Sequence, residues 1–209
     1  MNTRNLPLAL IAAALLVAMA GIAGVSAEPP APPVAKPAPV QAPAAVPAPA
    51  EETPVLVGPT TRDKVEAAPE WTLAEVEARP EADASRELAE VQPGAEVVVF
   101  LGTWCGDSRR ELPRLWKAMD SGSGAVNFQI RYIGVDRAKK EPADLVKEYD
   151  VHYLPTFIVR RDGREVGRIV ETSPHGIERD LLALLTGKAT GVLTTRTDLV
   201  PASPPPPQG

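Results

Sequence analysis

The sequence predicts an α/β domain of three layers, with a mixed central sheet flanked by helices on both faces. Three observations carry this reading. Residues 97–101 form an unbroken apolar run of strand length, the pattern of a strand buried on both faces. Leu112, Leu115, Trp116 and Met119 follow at helical spacing, and Val126, Phe128, Ile130 and Tyr132 then alternate with polar residues as a strand. Residues 156–160 and 165–170 are two more strand-like runs joined through Asp162-Gly163, a pair suited to an antiparallel hairpin. Strand, helix, strand at this spacing implies a parallel right-handed crossover, and the hairpin adds antiparallel strands, so the sheet is mixed.

Taken in chain order, residues 1–27 read as a secretory signal peptide. No charged residue lies between Arg4 and Glu28, and Val25-Ser26-Ala27 offers the small side chains of a cleavage site. The competing reading is an uncleaved membrane anchor, since about 18 apolar residues can just span a bilayer. Either way the folded part is expected outside the cytoplasm, in a bacterial periplasm or the extracellular space. Residues 28–61 are read as a disordered Pro/Ala-rich linker, because eleven of the 24 prolines fall between Pro29 and Pro59 and the larger apolar groups of a core are missing. The domain is expected over residues 62–187, and residues 188–209, which end in a run of prolines, read as a disordered tail.

Within the domain, residues 62–96 carry four basic and ten acidic residues and predict an acidic, helical leading segment. Thr72 with Glu75 forms a candidate capping box, and Ala84, Leu88 and Val91 make a second short stripe before Pro93-Gly94. A helix is expected to begin near Cys105 and to carry Pro113 inside it. Leu145, Val146 and Tyr149 mark a short helix. Ser173-Pro174 supplies a cap and a first-turn proline for a last helix bearing Ile177, Leu181, Leu182 and Leu185. Arg160, Arg161 and Arg164 read as a solvated face.

Composition excludes several function classes. A net charge of −5 argues against a general electrostatic grip on nucleic acid. One cysteine and two separated histidines rule out a disulfide framework and a thiolate metal cluster, so no metal is expected.

One constellation carries chemistry. Thr103-Trp104-Cys105-Gly106-Asp107-Ser108 falls where the first strand ends and a helix begins. Unpaired backbone N–H groups and the positive end of the helix dipole aim at a sulfur placed there, and both favour thiolate over thiol. Arg109, one turn on, adds to this and Asp107 opposes it. Ser108 holds the position from which a second thiol would attack a mixed disulfide; its hydroxyl can hydrogen-bond to the sulfur but cannot resolve that disulfide. His152, near the loop that leads the hairpin, is a candidate for tuning Cys105, with an exposed loop histidine as the plainer reading.

Trp-Cys-Gly-Asp-Ser after an apolar strand, Pro113 eight residues past the cysteine, and Tyr153-Leu154-Pro155-Thr156-Phe157 before the hairpin together resemble a thioredoxin-like protein in a single-cysteine form. The resemblance covers residues 97–187. It implies that Cys105 is the nucleophile, that Trp104, Gly106, Asp107, Ser108 and Arg109 are its neighbours, and that Pro155 is cis and faces the cysteine. It also implies that Leu154, with Pro155 and Thr156, offers backbone to an extended substrate. Two departures stand out: Ser108 replaces the resolving cysteine, and Val99 occupies a position where thioredoxins often bury an acid. The function expected is monothiol thiol-disulfide exchange, with glutathione or another small thiol as co-substrate and protein disulfides or mixed disulfides as partners. The alternative is a redox-inactive module that holds an extended peptide. A peroxide-sensing cysteine ranks last, for want of an oxidant-binding pattern.

Overall fold

The computed structural model describes residues 53–122 and 124–199. Its element order is β1 (Gly58–Thr60), α1 (Arg62–Glu66), α2 (Pro69–Glu77), α3 (Ala82–Ala89), β2 (Ala95–Leu101), α4 (Gly106–Asp120), β3 (Gln129–Gly134), α5 (Ala143–Glu148), β4 (Thr156–Arg161), β5 (Arg164–Val170), α6 (Ile177–Leu185) and β6 (Gly191–Leu193). The six strands lie in the order β1-β3-β2-β4-β5-β6. The β2–β3 and β5–β6 pairs are parallel and the rest antiparallel, which is the mixed sheet that the crossover and the hairpin predict.

The central strand β2 explains the layering. Its alternate residues Val97, Val99 and Leu101 pack into a core shared with Val65, Trp71, Leu88, Leu112, Trp116 and Leu181, drawn from α1, α2, α3, α4 and α6. Val98 and Phe100 point to the opposite face, against Tyr149, Val151, Leu154 and the partly buried Leu145 and Val146 of α5. Both faces are therefore dry, and no polar residue could be tolerated in the run without a partner. On the larger side Trp71 and Trp116 stack 5.8 Å apart, and the Trp116 Nε1–H donates to Tyr132 Oη at 2.9 Å. Burial pushes the Tyr132 hydroxyl up to about 12.

The hairpin turn forms as its residues suggest, with Asp162 at φ 51° and Gly163 at φ 72°, the left-handed pair that matches strand twist. Other expectations need correction. The linker assigned to residues 28–61 gives way to folded chain before its end, since Gly58–Thr60 pairs antiparallel with β3. The tail assigned to residues 188–209 is likewise folded near its start, where Gly191–Leu193 pairs with the outer edge of β5. Residues 28–52 of the linker, the tail beyond residue 199 and the signal-peptide segment lie outside the described residues. Thr72 is no cap: α2 begins at Pro69, and the Thr72 hydroxyl donates to the Glu66 carbonyl at 3.3 Å. Nor does Ser173 cap α6, whose N-cap is Gly176; the Ser173 hydroxyl instead bonds the buried Asp180. Arg160 and Arg161 are half-buried rather than solvated, Arg160 reaching Glu96 and the Gly163 carbonyl and Arg161 the Leu185 carbonyl.

Candidate functional site

Cys105 is the N-cap of the 15-residue helix α4, held extended at φ −88° and ψ 124°, and no side chain caps the first turn. The helix starts here because β2 has just ended: the Gly102 carbonyl accepts the Cys105 N–H at 2.9 Å, and the Cys105 carbonyl accepts the Arg109 N–H at 3.1 Å. The N–H groups of the first turn are left without a side-chain partner, Cys105 included, and the sulfur lies at the positive end of the helix. Pro113 sits inside α4, as the sequence shows.

The sulfur is half-buried and packs at the edge of the smaller core beside Trp104. Its S–H donates to the Leu154 carbonyl at 3.5 Å. Leu154–Pro155 is a cis bond, as is Glu141–Pro142, for which the sequence offered no signal. Leu154, Pro155 and Thr156 are all buried, and the Thr156 hydroxyl donates to the Tyr153 carbonyl at 2.7 Å. The loop thus faces the cysteine with backbone, while Tyr153 is its half-exposed side chain. The Glu171 N–H holds the Pro155 carbonyl at 2.8 Å from the other side.

Ser108 is fully buried, and its Oγ accepts the Gly102 N–H at 3.2 Å. The expected bond from this hydroxyl to the sulfur is absent; the hydroxyl instead ties the end of β2 to the first turn of α4. Gly102 itself must lack a side chain, since a Cβ there would lie 2.8 Å from the Trp104 ring. That ring is fixed by its Nε1–H donating to the Val135 carbonyl at 3.0 Å. Sequence reasoning missed Gly102, although a glycine closing an apolar strand two residues before Trp104 was a signal available to it.

Charge around the site is arranged in pairs. Gly106 is exposed and Asp107 pairs with Arg110 at 2.7 Å, while Arg110 also reaches Glu111 at 3.1 Å and the Thr172 hydroxyl at 2.6 Å. Burial raises the Glu111 carboxyl above its usual range despite Arg110. His152 does not join the cysteine: its Nε2 pairs with Asp150 at 2.8 Å and the side chain is largely exposed. His175 pairs with Asp180 at the start of α6. Among the described residues no group of three or more His, Cys, Asp or Glu is placed to hold a metal ion. The structure therefore brings together Cys105, Trp104, Gly106, Asp107, Ser108, Leu154 and Pro155, with Arg109 one turn beyond the sulfur.

The thioredoxin family profile matches residues 66–183. Mitochondrial thioredoxin-3 of Saccharomyces cerevisiae is 29% identical over 85 residues, which span 41% of this chain and 61% of that protein. Thioredoxin-2 of the same yeast is 31% identical over 83 residues, 40% of this chain and 73% of that one. A solved Pseudomonas aeruginosa protein of unknown function covers 64% of this chain and 95% of its own, at 16% identity and a TM-score of 0.49.

Proposed function

We propose, for a chain that belongs to the thioredoxin family, thiol-disulfide exchange carried by one sulfur: Cys105 is the nucleophile and an external thiol completes the cycle. The observation that carries this is the placing of a half-exposed sulfur at the uncapped start of a 15-residue helix, 3.5 Å from the carbonyl that precedes a cis proline. A half-exposed sulfur at the positive end of a helix is in the environment of a reactive rather than a structural cysteine.

The chemistry follows from what is absent at position 108. The Cys105 thiolate attacks one sulfur of a substrate disulfide, forming a mixed disulfide and expelling the other half as thiolate. Ser108 has no sulfur with which to displace the captured half, and its hydroxyl is engaged by Gly102. A small thiol such as glutathione then attacks the mixed disulfide, regenerating Cys105 and carrying off the captured half as a new disulfide. One disulfide is consumed and one formed in each cycle. The apolar residues 8–25 and the Val25-Ser26-Ala27 site support export to a periplasmic or extracellular setting, where disulfide substrates persist.

The test is catalytic turnover. With a glutathione-blocked peptide and free glutathione, the chain is expected to release many equivalents of peptide thiol, at a rate that rises with glutathione concentration. Binding of the peptide with no release above the background exchange would assign the chain to the redox-inactive module instead.

A further inference from the structure

Two cations beside the site, Arg137 and Lys139, have no side-chain hydrogen bond or ion pair among the described residues, whereas Arg109, one turn past Cys105, lies in a groove with Glu70 and Glu77 of α2. Arg137 places its Cζ 5.8 Å from the centre of the Trp104 ring, and Lys139 its Nζ 5.7 Å from that of Tyr153. Both rings are held by the fold, Trp104 through the Val135 carbonyl and Tyr153 under Arg196, whose Cζ lies 4.0 Å from its centre. The attraction between cation and ring face therefore sets Arg137 and Lys139 at defined places next to the thiol and its loop.

The acidic groups beside these two rings are engaged. Arg110 pairs with Asp107 and Glu111, and Arg196 with Glu171 and Asp198. Asp136 accepts the N–H groups of Glu141, Lys140 and Ala138, which hold its carboxyl below the usual range, and Asp150 pairs with His152. An incoming carboxylate can thus bind Arg137 or Lys139 without breaking an internal pair. This cluster occurs on a chain whose net charge is −5, so it does not reflect a generally basic surface.

We propose that this face selects disulfides that carry carboxylates beside the attacked sulfur, read by Arg137 and Lys139. The inference rests on the exchange reading above and names its substrate class. Two sources share the chemistry, an acidic peptide segment and the two carboxylates of each glutathione half. In either case the Cys105 thiolate forms a bond to the sulfur of the carboxylate-bearing half, the original S–S bond breaks, and the other half leaves as thiolate.

The experiment uses the full chain and three peptide disulfides, blocked by the same neutral thiol, whose cysteine is flanked by Asp, Asn or Lys. A fourth arm compares glutathione disulfide with its carboxylate-esterified form. Each rate is divided by that of 2-mercaptoethanol, which removes intrinsic differences between substrates. The acidic peptide, glutathione disulfide over its ester, or both should react roughly tenfold faster than the neutral counterpart, the size that two exposed charge contacts give together. The ratio should fall toward one at high salt and in the R137Q/K139Q chain. The salt series needs no substitution, so it stands whether or not that variant folds. Equal normalised rates for all substrates, or a preference indifferent to salt, would overturn the selectivity. No reaction with any disulfide would instead remove the exchange reading on which it rests.

Discussion

Replacing Ser108 by Cys is expected to convert a chain that depends on an external thiol into one that closes its own disulfide. Positions 105 and 108 are the N-cap and the third residue of α4. Side chains at these two helix positions face each other, which is why they form reciprocal capping bonds elsewhere. The new sulfur would attack the Cys105 mixed disulfide within the molecule, at an effective concentration far above that of any free thiol. After treatment with oxidised glutathione, the unaltered chain should carry one glutathione adduct, whereas Ser108→Cys should carry none and be lighter by two hydrogens. Loss of the Ser108 Oγ as acceptor leaves the buried Gly102 N–H unpaired, at about 1–3 kcal/mol. The variant is therefore expected to unfold earlier while gaining dithiol activity. A stable glutathione adduct on Ser108→Cys would mean that the two positions do not meet.

Arg114→Met is expected to destabilise the fold by about 3 kcal/mol at neutral pH. Glu178 in the first turn of α6 has no exposed surface, and its carboxylate is held by Arg114 of α4 at 2.6 and 2.8 Å and by the Glu81 N–H at 2.9 Å. These contacts tie α6 to α4 and to the entry of α3, and deleting the guanidinium leaves a buried charge with one backbone donor. The value sits at the low end for buried pairs because Arg114 is itself about a third exposed. Burial alone would raise the Glu178 carboxyl, but the Arg114 and Glu81 bonds outweigh it and the net shift is downward. A carboxyl lowered in the folded state stabilises above its unfolded pKa and loses that contribution as pH falls through the folded value. The gap between the two chains, read from denaturant midpoints, should therefore be widest at pH 7 and narrow at pH 4 and below. A gap that stays constant over this range would show that the ion pair is not its source.

Much of this architecture was legible because local pattern and burial agree. Residues 97–101 are continuous because both faces of β2 are covered, and the α4 stripe of Leu112, Leu115 and Trp116 is periodic because one side of that helix is. The site sequence was equally plain, since Trp104, Cys105 and Ser108 stand together at a strand-to-helix junction. The pieces that escaped are those whose order comes from tertiary pairing. Gly58–Thr60 and Gly191–Leu193 have three residues each, too few to show a strand period, so they gain structure only by adding to the edges of β3 and β5. The capping box at Thr72 failed because Pro69, three residues earlier, was already suited to the first turn. Arg137 and Lys139 carried no signal at all, because only the tertiary fold brings them over the rings of Trp104 and Tyr153.

The central claim is that Cys105 is a working nucleophile, and the most direct measurement is turnover of a glutathione-blocked peptide by the intact chain beside Cys105→Ser, at matched concentration and with folding verified by thermal unfolding. The account predicts rapid, glutathione-dependent release by the first and none above background by the second, since no other sulfur nucleophile of this kind exists in a sequence with one cysteine. Equal release by the two chains, or release by neither while both retain the peptide, would contradict it.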